Sequence, residues 1–177
     1  MNAMPSPWSA PVALFARPGS CGLISAWMVL RSFRKRVAAA RIIKACKPSP
    51  ADGCYAIGLA VGLRELGLYT VFCTDPDPNP TRREGRLYDR AARLAIPVKS
   101  AVDLSKLREL LKENAIIAAF DGTAGVGHFS PLTGVGRGKV ILPYTERGFL
   151  PLKEFDEAWS APGQARQCVL ARRLPKS

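Results

Sequence analysis

Cys21 and His128 are the two residues of this sequence whose chemistry could combine into a nucleophile and its general base. Cys21 opens an apolar stretch that favours a helix, and at the first turn of a helix the macrodipole and the free backbone N–H groups lower the pKa of a thiol. His128 is the only histidine in the sequence, so no other imidazole could take the thiol proton. The alternative interpretation is a buried structural cysteine and a strand histidine without a catalytic role.

The residues on either side of Cys21 are small. Pro18, Gly19 and Ser20 precede it, and Gly22 follows it. Such neighbours leave room for a substrate carbonyl to approach both the sulfur and the N–H groups at the start of the helix, which would stabilise an oxyanion. The pattern therefore indicates acyl transfer, in which the sulfur attacks a peptide or amide carbonyl.

Three segments of the chain, in this order, resemble the papain-like cysteine peptidase superfamily. They read PGSCGLISAWMVLRSF from Pro18, GHFSPLTGVGRGKVILPY from Gly127 and GFLPLKEFDEAW from Gly148. The nearest resemblances are to the peptidase domains with which ABC transporters remove bacteriocin leaders, to the actin-maturation protease and to the catalytic domain of phytochelatin synthase. The resemblance implies a papain-like fold, Cys21 as nucleophile, His128 as base and a peptide or protein as substrate.

Two positions depart from the pattern of that superfamily. A glutamine about six residues before the cysteine supplies an oxyanion donor in the superfamily, but here Phe15 stands near that position, and losing one such donor costs roughly 10²–10³ in rate. The acid of an Asp-Pro step orients the histidine in the superfamily, but here Leu142 or Tyr144 replaces it, depending on the register. These departures keep a function without catalysis open.

Other groups of this chain could take the two vacant roles. Glu146 could orient the histidine, and Asp121, which precedes the histidine, is the alternative orienting acid. The backbone N–H groups of Cys21 and Gly22, together with the side chain of Ser20, could bind the oxyanion.

The elements that must position these groups form an α+β pattern, with helices first and an antiparallel sheet second. Helices are predicted at 21–33, 37–46, 55–66, 83–94, 104–113 and 152–159, and Ser20 is expected to cap the first. Strands are predicted at 69–74, 96–98, 115–120, 128–135, 139–142 and 167–172, with a rigid proline-rich loop at 75–80. We expect one papain-like domain over residues 1–177, in which residues 1–17 form an extended arm.

The chain is strongly basic, with 26 Lys and Arg residues against 14 Asp and Glu residues and a formal net charge of +12. Two stretches concentrate the positive charge. They comprise Arg31, Arg34, Lys35, Arg36, Arg41, Lys44 and Lys47, and then Arg82, Arg83, Arg86, Arg90 and Arg93. We interpret both as solvated helix faces, and the alternative is a binding face for an acidic protein or a nucleic acid. No aromatic residues interleave with these positions as in a groove for single-stranded nucleic acid.

Cysteine usage indicates a reducing compartment and no metal site. The five cysteines are odd in number and irregular in spacing, with neither a CxxC nor a Cys/His zinc pattern, so no metal ion or cofactor is expected. Cys46, Cys54, Cys73 and Cys168 are expected to be buried or incidental thiols. No basic n-region of a secretory signal precedes the first apolar residues, and no apolar run approaches about 18 residues. A cytoplasmic location follows, with export by a signal-independent route as the alternative.

Two functions of different class fit the sequence. The first is a thiol hydrolase that cleaves a peptide or amide bond through an acyl-thioester, and deamidation or acyl transfer to an amine would use the same intermediate. The second is a catalytically impaired papain-like protein that serves as a basic binding module for an acidic protein or a nucleic acid.

Overall fold

Most helices come early in the chain and most strands late. The computed structural model describes residues 3–77, 80–122 and 126–174. After a 3₁₀ turn at Pro7–Ser9, the helices are α1 Val12–Phe15, α2 Ser20–Ser32, α3 Ala39–Cys46, α4 Ala56–Glu65, α5 Arg82–Arg93, α6 Leu104–Leu110 and α7 Leu152–Trp159. The strands are β1 Leu68–Thr74, β2 Val98–Ser100, β3 Ala115–Asp121, β4 Gly127–Leu132, β5 Gly134–Gly136, β6 Lys139–Ile141, β7 Phe149–Pro151 and β8 Cys168–Arg173.

The strands form two sheets. Five strands make the larger sheet in the order β2-β1-β8-β3-β4, and β5-β6-β7 make the smaller one. Every neighbouring pair is antiparallel except β1 and β2, which run parallel. The antiparallel sheet predicted from the sequence is thus a mixed sheet, because the connection between β1 and β2 contains α5, a crossover that returns the chain in the same direction.

Alternating residues of β3 pack into two hydrophobic clusters. Ile117 belongs to the cluster that contains the buried residues of α2 and α4, whereas Ile116 and Ala118 belong to the cluster that contains Phe155 and Trp159 of α7. Successive strand residues point to opposite faces, so the sheet is covered on both sides. This is why the sequence of β3 is continuously apolar rather than alternating.

Helix α2 is buried on nearly its whole circumference. Ten of its thirteen residues are buried, and apolar side chains dominate them. A helix with apolar residues all round must lie inside a domain rather than on its surface. Trp27 on this helix and Trp159 on α7 are both core residues.

The structure differs from the sequence prediction in several local features. The strand predicted at 96–98 is β2 at Val98–Ser100, and β7 at Phe149–Pro151 was not predicted. The arm at 1–17 is not wholly extended, because Pro7 begins a 3₁₀ turn and Pro11 precedes α1, positions at which the fixed φ of proline suits the start of a helix. Ser20 is the first residue of α2 rather than its cap, which is Gly19. The predicted strand 128–135 is divided between the two sheets, because its pairing with β3 ends opposite Ile116, one residue from the start of that strand.

Residues 78–79, which belong to the predicted proline-rich loop, lie outside the described part of the chain. Among the described residues, no helix has the length and apolar character needed to cross a bilayer.

Candidate active site

Cys21 is the second residue of α2 and is half-buried, whereas Cys46, Cys54, Cys73 and Cys168 are buried, as predicted. All five are free thiols. Cys21 is thus the cysteine that a solvent-borne substrate can reach most readily. Its partial exposure agrees with the nucleophilic role that the sequence suggests. The four buried thiols fit the role of structural cysteines.

The turn that presents Cys21 requires glycine. Gly19 has φ +67°, and a Cβ at this residue would lie 2.4 Å from the Cα of Gly53 and 2.5 Å from the backbone nitrogen of Cys54. A Cβ at Gly22 would lie 2.7 Å from the Cβ of Cys54. The start of α2 therefore packs directly against the 53–54 backbone, and this contact fixes the position of the Cys21 sulfur.

Strand β4, which contains His128, lies beside the start of α2. The Ser25 hydroxyl donates a hydrogen bond of 3.1 Å to the Phe129 carbonyl. The backbone N–H of the same Phe129 interacts with the Cys21 sulfur and lowers the pKa of its thiol. His128 precedes Phe129 in the strand, so the backbone that carries the imidazole is adjacent to the residue that contacts the thiol.

The imidazole of His128 is oriented by a backbone carbonyl. Its Nε2 atom lies 2.6 Å from the carbonyl oxygen of Tyr144. Since a carbonyl can only accept, Nε2 must carry the proton, and Nδ1 of the neutral ring is left as the acceptor that a general base requires. The ring also meets Phe120 edge-on, with centroids 5.5 Å apart, and the Tyr144 ring at 5.3 Å.

Tyr144 is connected to both halves of the site. Its backbone N–H donates to the Ser130 hydroxyl at 3.0 Å, which holds the 144 carbonyl in register with β4. Burial, and next the charge that Cys21 would carry as a thiolate, raise the pKa of the Tyr144 phenol, and the Ser20 side chain opposes them by hydrogen bonding. The phenol therefore lies close to the start of α2, while the carbonyl of the same residue holds His128.

Burial shifts the pKa values of both Cys21 and His128, and the shift of Cys21 differs in direction from the one that the sequence suggested. Burial raises the pKa of Cys21 above its ordinary value of 9.0, although the backbone N–H groups of Phe129, Gly22 and Cys21 itself lower it. Burial also lowers the pKa of His128 below its ordinary value of 6.5, against the effect of the Tyr144 carbonyl. The N–H groups at the helix start do lower the pKa of Cys21 as expected, but desolvation outweighs them, so the net direction is upward. Near neutral pH the pair is a thiol and a neutral imidazole.

The remaining residues singled out from the sequence lie around this pair. Glu146 and Asp121 line a cavity beside His128, but Nε2 of the ring has the Tyr144 carbonyl as its partner instead. The Gly22 N–H donates to the Gly19 carbonyl at 3.1 Å, so it is already engaged before any oxyanion forms. Their proposed catalytic roles stay predictions.

Phe15, at the position of the missing glutamine, is the last residue of α1. Its ring stacks on Trp8 with centroids 6.4 Å apart, and Trp8 in turn meets the Tyr144 ring edge-on at 5.9 Å. An aromatic stack thus occupies the region where the resemblance would place an oxyanion donor, and it supplies no donor there from Phe15.

The orienting carbonyl of Tyr144 is the functional feature that the sequence did not reveal. Every residue carries a carbonyl, so no residue type in the sequence can indicate this role. The sequence did mark the position, since Tyr144 is one of the two residues that replace the expected acid. Trp8 also escaped notice, because nothing local relates an N-terminal tryptophan to a residue 136 positions later.

The described residues form no cluster of metal-ligating side chains. No group of three or more His, Cys, Asp or Glu side chains within 3–77, 80–122 and 126–174 is arranged to hold a metal ion.

Comparison with known proteins shows a similar fold. The structure resembles the peptidase domain of Streptococcus ComA, a bi-functional ABC transporter involved in a quorum-sensing pathway, with a TM-score of 0.57 and 12% sequence identity. The match covers 89% of this chain and 97% of that domain. No family model and no curated protein matches the sequence. The predicted α+β fold of papain-like type, in the form of an ABC-transporter peptidase domain, is confirmed, and at this identity the likeness concerns the fold alone.

Proposed function

We propose that this protein is a cysteine-dependent hydrolase that cleaves a peptide or amide bond through an acyl-thioester on Cys21. The proposal rests on the contacts that β4 makes with Cys21 and with Tyr144. The Phe129 N–H interacts with the Cys21 sulfur, and the adjacent His128 is held by the Tyr144 carbonyl in the tautomer of a general base. A peptidase-like fold over 89% of the chain supports the same reaction class.

The reaction proceeds in two halves. As the Cys21 sulfur attacks the substrate carbonyl carbon, Nδ1 of His128 takes the thiol proton, and it then delivers this proton to the departing amine. The C–N bond breaks and an S-acyl bond remains. Water then attacks the thioester, His128 takes one of its protons, and the sulfur leaves and recovers that proton, which yields a carboxylic acid and the free thiol.

The Tyr144 carbonyl takes the part of the missing acid in this proposal. It stabilises the imidazolium that forms during each proton transfer, as a carboxylate would, but with a dipole instead of a full charge. Glu146 and Asp121 then have no orienting duty. The Cys21 N–H is the main backbone donor left for the oxyanion, with the Ser20 side chain beside it.

The pH dependence of hydrolysis tests whether the resting pair is neutral. We expect kcat/KM to rise as His128 loses its proton, with a midpoint below 6.5, because only the neutral ring can take the thiol proton. We expect it to fall again with a midpoint above 9.0, when the thiol ionises by itself and no proton is left for the departing amine. Steady-state rates on peptidyl coumarin amides give both midpoints. A descending midpoint well below 9.0 would indicate a preformed thiolate–imidazolium pair instead.

The free thiols are relevant to the redox environment in which the protein works. We propose a reducing, cytoplasmic environment, because all five cysteines are unpaired and four of them are buried.

A second candidate function, a basic binding module without catalysis, is favoured by a groove on α5. Lys47, Arg83, Arg86, Arg90 and Arg93 line this groove of about 380 Å³. Arg83 donates to the carbonyls of Lys47 and Pro48, and Arg90 pairs with Glu65 at 2.9 Å, which fixes two of the guanidinium groups. A fixed cationic groove suits an acidic protein or a phosphate backbone.

Binding to poly-uridylate measured against salt concentration distinguishes this second function. A binding module for phosphates would lose affinity steeply as salt rises, and Arg86→Gln would reduce the slope by about one unit. A protein that hydrolyses peptides and binds the polymer only weakly, with no effect of Arg86→Gln, would leave the hydrolase as the function of this chain.

A further inference from the structure

A cavity near the candidate site is lined by the imidazole of His128 and not by the Cys21 thiol. It has a volume of about 910 Å³, and Tyr144 lines it beside His128. Phe120 and Phe149 contribute apolar surface, and residues of α7 also line the cavity. A cleft of this size accommodates several residues of an extended peptide.

The wall of this cavity is acidic in a molecule that is otherwise strongly basic. Asp121, Glu146, Glu154 and Glu157 all line it, against Arg147 as the single basic lining residue. The four acids and one base give a local charge of −3 in a chain whose net charge is +12. Within the described ranges, only Glu157 of these acids has an ion pair, with Lys153 at 3.8 Å, and both partners are largely exposed. The carboxylates are therefore available to a ligand.

An exposed tryptophan stands at the rim of the same cavity. Trp8 has 74% of its surface exposed although it is held in place by Tyr144 and Phe15. A fixed aromatic face beside carboxylates attracts a Lys or Arg side chain, since the cation meets the ring and the carboxylate together. The wall thus combines two features that select cationic groups, the carboxylates and the aromatic ring. Both lie at one cavity and are not scattered over the surface.

The chemistry of acyl transfer tells which part of the substrate would reach this cavity. The imidazole receives the thiol proton and must pass it to the departing amine, so the amine leaves on the imidazole side of the scissile bond. His128 lines the cavity and Cys21 does not, so the cavity lies on the imidazole side of the pair. The segment that follows the scissile bond would therefore enter it, and the segment that precedes the bond would lie toward Cys21.

We propose that the cavity binds the substrate segment that follows the scissile bond and that it selects segments carrying Lys or Arg side chains. This inference rests on the proposed function for its direction along the substrate, but the preference for cations is a property of the cavity itself. The positive field of the whole molecule would favour anionic peptides, so a preference for cationic ones can arise only at a local acidic site.

Peptide binding to the Cys21→Ala protein tests the cavity without requiring catalysis. Fluorescence anisotropy at low ionic strength would compare a labelled octapeptide containing three lysines with the same octapeptide containing three glutamines or three glutamates. We expect the lysine peptide to bind at least about tenfold more tightly than the other two. The double change Glu154→Gln and Glu157→Gln should weaken that binding roughly three- to thirtyfold, because it removes two carboxylates from the wall.

A matched control removes the same charge elsewhere. Asp89→Asn with Glu113→Gln also removes two carboxylates, both on the exposed surface outside the cavity, and should change the affinity for the lysine peptide by less than about twofold. Tightest binding of the glutamate peptide, or equal losses in the two double variants, would overturn the inference.

Activity separates this inference from the proposed function. If the binding pattern holds but no peptide is hydrolysed, the cavity is cation-selective and the hydrolase proposal fails. If the wild-type protein hydrolyses peptides at equal rates with Lys or Glu after the scissile bond, the hydrolase proposal stands and the cavity assignment fails. Faster hydrolysis with Lys after the bond, but not before it, supports both.

Discussion

Replacing Cys21 by alanine is expected to abolish hydrolysis while leaving the fold intact. The proposed reaction has no other nucleophile, and removing the nucleophile of an acyl-transfer site costs on the order of 10⁶ in kcat. The side chain is half-buried at the first turn of α2, so its loss leaves little cavity in the core. The rate should be measured on peptidyl coumarin amides, with circular dichroism to confirm that the variant is folded.

Cys73→Ser is the matched control for Cys21→Ala. Cys73 lies in β1 opposite Cys168 of β8, where it takes part in a thiol–thiol hydrogen bond and not in the candidate site. This variant should lose thermal stability because a hydroxyl replaces a buried thiol, but it should retain its rate per folded molecule. If Cys73→Ser were as inactive as Cys21→Ala, the assignment of the nucleophile would be wrong.

Replacing His128 by alanine is expected to reduce kcat by roughly 10²–10⁴, the usual contribution of a general acid–base residue. The effect should be largest on amides, whose departing amine needs a proton, and smaller on peptidyl thioesters, whose leaving group does not. Rates of His128→Ala on an amide and on a thioester of the same peptide would show this difference. Equal losses on both substrates would indicate that His128 does not protonate the departing amine.

The same assay decides which group orients His128. If the Tyr144 carbonyl is the orienting group, Glu146→Gln and Asp121→Asn lower kcat by less than about tenfold, and their effects fall mainly on KM through the charge of the cavity wall. If either carboxylate is the orienting group, its removal costs on the order of 10⁴ in kcat, as loss of the acid does in other acyl-transfer triads. Ser130→Ala should also lower kcat, because the Ser130 hydroxyl holds the Tyr144 backbone in place.

The parts of the fold that the sequence predicted well are those specified by local patterns. The predicted helix at 21–33 matches α2 to within a residue at either end, because its apolar residues and the preceding Pro18 and Gly19 define it without help from the rest of the chain. The turn between the predicted strands 128–135 and 139–142 is also locally specified, since its two central residues, Arg137 and Gly138, have the positive φ that a two-residue hairpin turn requires.

The parts that the sequence did not predict depend on contacts between distant segments. The end of the pairing between β3 and β4 decides that residues 134–136 join a second sheet, and no local signal marks that point. Burial of the Cys21 thiol, with β4 alongside it, reverses the direction of the pKa shift expected from the helix start alone. The hydrogen bond between His128 and the Tyr144 carbonyl also joins distant segments, and no residue type marks a backbone carbonyl for it.

The most direct test of the pairing of Cys21 with His128 is ¹⁵N NMR of the imidazole across pH. His128 is the only histidine in the sequence, so its two ring nitrogens give unambiguous signals. We expect the Nε2-protonated tautomer near neutral pH, a pKa below 6.5, and a change in both ring signals when Cys21 is replaced by serine. An Nδ1-protonated ring, a pKa of 6.5 or above, or signals that are insensitive to the Cys21 substitution would contradict the account.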